Sequence, residues 1–310
     1  MTRFFHREIT DWTSWGAVYQ SLPDFQELIE EIFKREQLRE YEPFSLLTPG
    51  TNAVFRAGGY VIKLFAPVES GAQTDKDYEA ELQSMQRAIR LGVRTPRVVA
   101  ASYIQDKYRF RYLIMDYIEG QAAGGALRSY TSAQKKRFVQ VLLQNLDKLN
   151  GKPQGNAKQS FVQERVARNP RWNRYPSTIR SEIIDLVQRH EWSENVYVHG
   201  DLTADNLIID PQGVLHIIDF ADSQLAPAEY EYPPILFDLF DCDRELIQEF
   251  RLTLELDEDT FLEKVFMGTI LHEFGASFVH SLYEKLAGKP VSRLKEITEL
   301  KRLMRTGLLN

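Results

Sequence analysis

The sequence predicts an α+β chain in two parts, a small β-rich unit carrying one helix and then a larger, mainly helical unit. Three observations lead there. Runs of β-branched and aromatic residues cluster between Phe44 and Tyr117 and are interrupted by one helical stretch. Beyond Glu119-Gly120 the periodicity turns helical to the end, apart from a β-rich insert at residues 196–219 and a loop at Pro233-Pro234. At 310 residues, 43% hydrophobic and 26% charged, the chain has the composition of a globular protein and the length for two cores. These shifts divide it into a helical N-terminal extension (1–42), a first lobe (43–118) and a second lobe (119–310).

Residues 11–40 read as helical, with Pro23 near a start, Asp24 as a cap, and Phe25, Leu28, Ile29, Ile32 and Phe33 at helical spacing. Such an amphipathic element needs a surface to pack on. Residues 53–56 and 60–65 flank Ala57-Gly58-Gly59 as a hairpin. Residues 75–91 form a helix with Leu82, Met85, Ile89 and Leu91 on its apolar side, ended by Gly92. Two strands, 97–104 and 108–117, follow around the polar turn 105–107. In the later insert, strands 207–210 and 214–219 are joined by Asp210-Pro211-Gln212-Gly213, a type I turn. Residues 261–286 read as one helix that carries His272-Glu273.

With 38 Lys and Arg against 44 Asp and Glu, a net charge of −6 and no basic run, nucleic acid and anionic membranes are poor partners. The single cysteine, Cys242, lacks both a disulfide partner and a Cys-His signature. The first residues lack the apolar core of a signal peptide and no long apolar run follows, so a cytoplasmic protein is expected. His272-Glu273 lacks the second histidine of a zinc-binding His-Glu-x-x-His. Asp205 and Asp210 read as turn residues, and Tyr230, Tyr232, Phe237 and Phe240 as core.

Chemistry concentrates in His199-Gly200-Asp201-Leu202-Thr203-Ala204-Asp205-Asn206 and in Ile218-Asp219-Phe220-Ala221, with Asp219 18 positions after Asp201. Two carboxylates and a carboxamide in an otherwise apolar segment suit phosphoryl transfer. Oxygen ligands hold Mg2+, while a separate carboxylate accepts the proton of an attacking hydroxyl. A lysine inside Val61-Ile62-Lys63-Leu64-Phe65 is otherwise an unexplained charge in an apolar strand.

Together these strings resemble the aminoglycoside phosphotransferase and choline-kinase branch of the protein-kinase-like superfamily, over roughly residues 45–280. The resemblance implies a two-lobed kinase-like fold and an ATP-dependent O-phosphotransferase, with GTP as an open alternative. By position it implies that Asp201 is the catalytic base and that Asn206 and Asp219 are Mg2+ ligands. Lys63 would meet the nucleotide phosphates with Glu81, rather than Glu79, as its partner. Gly50, Thr51 and Asn52, within Leu47 to Phe55, would belong to a phosphate-covering loop. Met115 would line the adenine pocket, the backbone of Asp116 and Ile118 would bond the adenine edge, and His199 would orient the catalytic loop. Ala221 stands where protein kinases carry glycine, and Leu149-Asn150 where many relatives carry Leu-His.

The short stretch between Asp219 and Ala226-Pro227 leaves no room for a long activation segment, which favours a small-molecule hydroxyl acceptor over a protein. Residues 222–249 hold Asp222, Glu229, Glu231, Asp238, Asp241, Asp243, Glu245 and Glu249 against Arg244 alone. That is either an acidic wall for a cationic acceptor or a solvated face. A non-catalytic nucleotide-binding regulator and a protein kinase stay open as alternatives, as does the oligomeric state.

Overall fold

The computed structural model describes residues 3–38, 43–47, 50–152 and 162–309. The chain divides into two compact units, Met1–Glu119 with Ile218–Asp222, and Gly120–Ile217 with Ser223–Asn310.

In the first unit, β1 (Phe44–Leu46), β2 (Ala53–Ala57), β3 (Tyr60–Leu64), β4 (Val98–Gln105) and β5 (Arg109–Asp116) form one antiparallel sheet in the order β1-β2-β3-β5-β4. The hairpin register pairs Phe55 with Ile62 and Val54 with Lys63. Ala53, Phe55 and Ala57 alternate with half-buried neighbours along β2, the period of a strand with one face on a core. Helix α3 spans Thr74–Arg90 and buries Thr74, Tyr78, Glu81, Met85 and Ala88. The sequence places Ile89 and Leu91 on its apolar side, but they are 44% and 38% exposed. A carboxylate, Glu81, occupies the centre of the buried stripe, so hydrophobicity alone selects the wrong edge of the helix. Gly92, at φ +71°, ends α3 with its N–H donating to Ile89 O.

The N-terminal segment is two helices rather than one, α1 (Trp12–Gly16) and α2 (Leu22–Arg35). Asp11 caps α1 by accepting the Ser14 N–H at 2.8 Å. Ser21, not Asp24, is the N-cap of α2, and Pro23 lies in the first turn, where a missing N–H leaves no intrahelical bond unmade. Residues 39 and 40 of the expected helix lie outside the described residues. Phe25, Leu28, Ile29, Ile32 and Phe33 are fully buried in one cluster with Phe55, Ile62, Phe110 and Ile114. The Phe25 ring lies 5.6 Å from Phe55 and 6.1 Å from Phe110. The Phe4 and Phe5 amides donate to the Asp106 carboxylate at 3.1 and 3.0 Å, fastening the segment to the β4–β5 turn. These helices are thus a layer of the sheet's own core. Phe25→Ala is expected to cost about 3–5 kcal/mol, seen as a lower urea midpoint at unchanged slope.

The second unit begins with β6 (Gln121–Ala122), α4 (Ala123–Leu127), α5 (Ser132–Leu149), α6 (Val162–Arg168) and α7 (Ser177–Arg189). Strand β7 (Val196–Val198) pairs with β10 (Gln224–Ala226), while β8 (Leu207–Ile209) and β9 (Leu215–Ile217) join β6 in the order β6-β8-β9. Between β8 and β9 the Gly213 N–H donates to Asp210 O at 2.9 Å. Asp210 Oδ1 accepts the Gln212 and Val214 amides, the work of a turn residue. A 3-10 turn (Ala228–Glu231), a π-helical turn (Pro234–Leu239) and helices α8 (Arg244–Thr253), α9 (Glu258–Leu271), α10 (Gly275–Ala287) and α11 (Ile297–Leu308) complete the unit.

The expected single helix over 261–286 is broken. It stops at Leu271 and resumes at Gly275. A Cβ on Gly275 would lie 1.7 Å from Thr269 O, so the chain folds back onto the preceding turn at a spacing only glycine permits. Asn169 Nδ2 holds the break by donating to Glu273 O at 2.8 Å. Tyr230, Tyr232 and Phe240 are buried, and Phe237 stacks on Phe278 at 5.9 Å. Among the described residues no helix is long and apolar enough to cross a membrane.

Candidate active site

In the first unit, β3 carries Lys63 at 5% exposure, and α3 aims Glu81, at 1%, toward it. Lys63 Nζ lies 2.7 Å from Glu81 Oε2 and donates to Asp219 Oδ1 at 2.8 Å. Glu79, two positions earlier on the helix, is exposed. Burial pulls the Lys63 pKa down, but the Asp219 and Glu81 carboxylates outweigh it and hold the ammonium charged, above its ordinary value. Burial pushes Glu81 up to about 7, with the pull of Lys63 working against it and the negative charge of Asp219 adding to it. One cation thus serves two carboxylates. Asp219 sits at φ +59°, a left-handed conformation that aspartate tolerates and that bulky residues resist.

The segment before β2 is anchored through Asn52. Asn52 is buried and its Oδ1 accepts the Ala66 N–H at 3.1 Å, so the side chain holds the segment to the end of β3. Thr51 is exposed, and its carbonyl accepts the indole N–H of buried Trp15 at 2.9 Å. Gly50 is exposed, whereas Thr48 and Pro49 lie outside the described residues. Met115 is buried near the end of β5. The Asp116 amide donates to Arg97 O at 3.1 Å and its carboxylate pairs with the Arg97 guanidinium, while Ile118 is half-buried beyond the strand.

In the second unit, Asp201 and Asn206 share the loop between β7 and β8. Asn206 Nδ2 donates to Asp201 O at 2.8 Å and to Asp201 Oδ2 at 2.7 Å, which ties the loop across five residues. With its nitrogen so placed, the amide keeps Oδ1 as its acceptor, the only atom of this side chain that suits a hard cation. His199 is buried, and its Nδ1 accepts the Asp201 N–H at 3.2 Å. Ala204 N–H donates to Asp238 Oδ1 at 2.7 Å.

Two buried groups meet this loop that the sequence does not assign to it. Glu231, fully buried, accepts the His199 and Gly200 amides at 2.5 and 3.0 Å. His272, in the break before α10, meets Gly200 O at 2.9 Å through Nε2. Glu231 reads as one acid among many, and His272 only as half of an incomplete zinc motif on a helix, so no local pattern ties either to this loop. The acidic stretch likewise changes meaning. Asp243 and Glu245 pair with Lys135 at 2.6 and 3.0 Å, Glu249 with Lys136 at 3.8 Å, and Asp241 with Lys285 at 3.8 Å. With Glu229 meeting Lys264 at 4.0 Å and Asp238 bonded to Ala204, these carboxylates have partners within the unit, although the side chains of Asp241 and Glu245 are 73% and 41% exposed.

The model of the phosphotransferase enzyme family matches residues 50–251. No curated protein sequence matches the chain. Among solved structures, the GDP and kanamycin complex of APH(2″)-IIia superposes with a TM-score of 0.60 at 17% identity, over 90% of this chain and 97% of that one. A choline kinase from Streptococcus pneumoniae follows with 0.57 at 14% identity, over 92% and 98%. An aminoglycoside phosphotransferase from Streptomyces rimosus gives 0.56 at 16% identity, over 82% and 98%. At these identities the likeness is one of fold, and the fold is the α+β, kinase-like one.

Proposed function

Because the chain belongs to the phosphotransferase enzyme family, we propose that it moves the γ-phosphoryl group of Mg·ATP to a hydroxyl of a small molecule. The observation that carries this reading is Lys63, buried in a strand and kept charged between Glu81 and Asp219. A buried Lys–Glu pair is poor structural filler, since apolar residues of like volume would stabilise the unit as well or better. Its use is a fixed cation for nucleotide phosphates.

Asp201 would take the proton of the attacking hydroxyl, held in place by its bond from Asn206 Nδ2. Asn206 Oδ1 and the Asp219 carboxylate would hold Mg2+, which when bound neutralises charge on the transferring phosphoryl group. One carboxylate and one amide oxygen fit that ion, which completes its shell with water and substrate phosphates. No cluster of three or more His, Cys, Asp or Glu among the described residues offers a richer site. Residues 43–118 would supply the nucleotide's contacts, with Gly50, Thr51 and Asn52 near its phosphates and Met115, Asp116 and Ile118 at its base. Residues 119–310 would supply the acceptor's.

The solved neighbours include a kanamycin complex and a choline kinase, so an amino alcohol or aminoglycoside-like alcohol is the first class to try. The engaged acids of residues 229–249 give no separate reason to require a cation. GDP in one neighbour makes GTP a donor to test beside ATP.

The test is mass spectrometry of aminoglycosides, amino alcohols and uncharged polyols after incubation with Mg·ATP or Mg·GTP, against an Asp201→Ala control. A mass gain of one phosphoryl group that the control lacks supports the reading. Labelling of proteins in a lysate with no small molecule modified would make it a protein kinase. Nucleotide binding without any transfer would make it a regulator.

A further inference from the structure

Gly200 is the weak point of the candidate catalytic loop. At φ +83° it occupies backbone space that other residues avoid, and without a side chain it has the most conformations to lose. Its neighbour Asp201 would drift with it unless the backbone on both sides were tied.

We propose that His272 is a positioning residue that holds the carbonyl side of Gly200, opposite the grip of Glu231 on its amide side, so that Asp201 is presented in a single conformation. The inference rests on the reading of Asp201 as the group that acts in phosphoryl transfer. Glu231 Oε1 takes the His199 N–H and Oε2 the Gly200 N–H, at 2.5 and 3.0 Å. His272 Nε2 engages the Gly200 carbonyl at 2.9 Å. The Asp201 N–H in turn donates to His199 Nδ1 at 3.2 Å. Both polar atoms of the peptide between Gly200 and Asp201 are therefore held, as is the amide before it.

The tautomer of His272 follows from its other nitrogen. Nδ1 accepts the Phe274 N–H at 3.0 Å, which leaves the proton on Nε2, where it donates to Gly200 O. Burial pulls the imidazole down to about 4, so it stays neutral and keeps that tautomer in neutral solution. The ring lies against Tyr230 at 4.3 Å, and the Tyr230 hydroxyl accepts the Glu273 N–H at 3.1 Å, so the segment bearing Glu231 and the break bearing His272 brace each other. Arg171 fixes the far side of the break through Glu273 at 2.6 Å.

A merely structural role explains Glu231 poorly. No Lys, Arg or His pairs with it among the described residues, and the charge of Asp201 adds to the cost of its burial. An apolar residue there would fill the space at less cost. What it would lose is the grip on two amides.

The test compares wild type, Glu231→Gln, His272→Ala and His272→Gln by hydrogen exchange in peptides covering residues 196–207, and by steady-state kinetics. His272→Ala is expected to speed exchange at residues 199–201 and to lower kcat by about 10–100-fold, with nucleotide KM within about threefold. Glu231→Gln, which swaps one acceptor oxygen for a donor, is expected to do the same. His272→Gln keeps a donor and is expected to recover most of both effects. Unchanged exchange at residues 199–201 in His272→Ala overturns the proposal, as does acceleration spread evenly over the second unit or an unchanged kcat. If wild type transfers no phosphoryl group, the proposed function fails on that arm alone, and the exchange arm still decides whether His272 holds the loop.

Discussion

Asp201→Asn is expected to lower kcat by about 10²–10⁴-fold, the usual weight of a positioned general base, while leaving nucleotide affinity and melting temperature nearly unchanged. The geometry makes the variant informative. Asn206 Nδ2 donates to Asp201 Oδ2 at 2.7 Å, so an amide at position 201 must turn its own oxygen toward Asn206. Its NH2 group then stands where a proton acceptor is needed. The loop keeps its shape and loses only basicity. Single-turnover transfer to the best acceptor checks this, and activity above roughly a tenth of wild type would remove Asp201 from the role of base.

Lys63→Met is expected to cost more in stability than any exposed substitution, about 3–5 kcal/mol, because Glu81 stays buried with the cation beside it removed. It should also abolish measurable nucleotide binding. The sign of the pH dependence follows from Glu81. Its pKa is raised to about 7 in the folded protein from an ordinary 4.5, so the fold favours the protonated carboxyl. That contribution is present at low pH and is lost as pH rises through the window between those values. Without Lys63 the carboxyl is pushed higher still. The melting temperature of Lys63→Met should fall steadily against wild type between about pH 5 and pH 8, and Lys63→Met/Glu81→Gln should flatten most of that fall. Thermal melts across pH decide the matter, and parallel curves for the single and double variants would count against the coupling.

The readable parts of the fold were those written in local periodicity. The hairpin around Gly58, the strands flanking residues 105–107 and the turn at Asp210 to Gly213 depend on neighbours a few residues away, and the structure forms each of them. What escaped is decided by residues distant in the chain. Glu81 displaces the expected hydrophobic stripe of α3 because Lys63 is waiting on a strand. The acids of residues 222–249 read equally as a wall or as a solvated face, and only the fold shows Lys135, Lys136, Lys264 and Lys285 beside several of them. His272 sits in an unbroken helical pattern, and only the close approach of Gly275 to Thr269 shows why the helix must stop. The site shows the same division. Asp201, Asn206, Asp219 and Lys63 can be singled out because their residue types are out of place in apolar surroundings. Glu231 and His272 are ordinary in type and unusual only in what they touch.

The N-terminal helices have a consequence for how this protein is to be handled. The family match begins at residue 50, yet the apolar face of α2 and the ring of Phe25 complete the interior beneath the sheet. The unit that heredity recognises and the unit that folds are therefore different lengths. A fragment trimmed to the inherited boundary would present the inner faces of Phe55, Ile62 and Phe110 to water and should be recovered as aggregate, whereas the first forty residues supplied in trans could restore it.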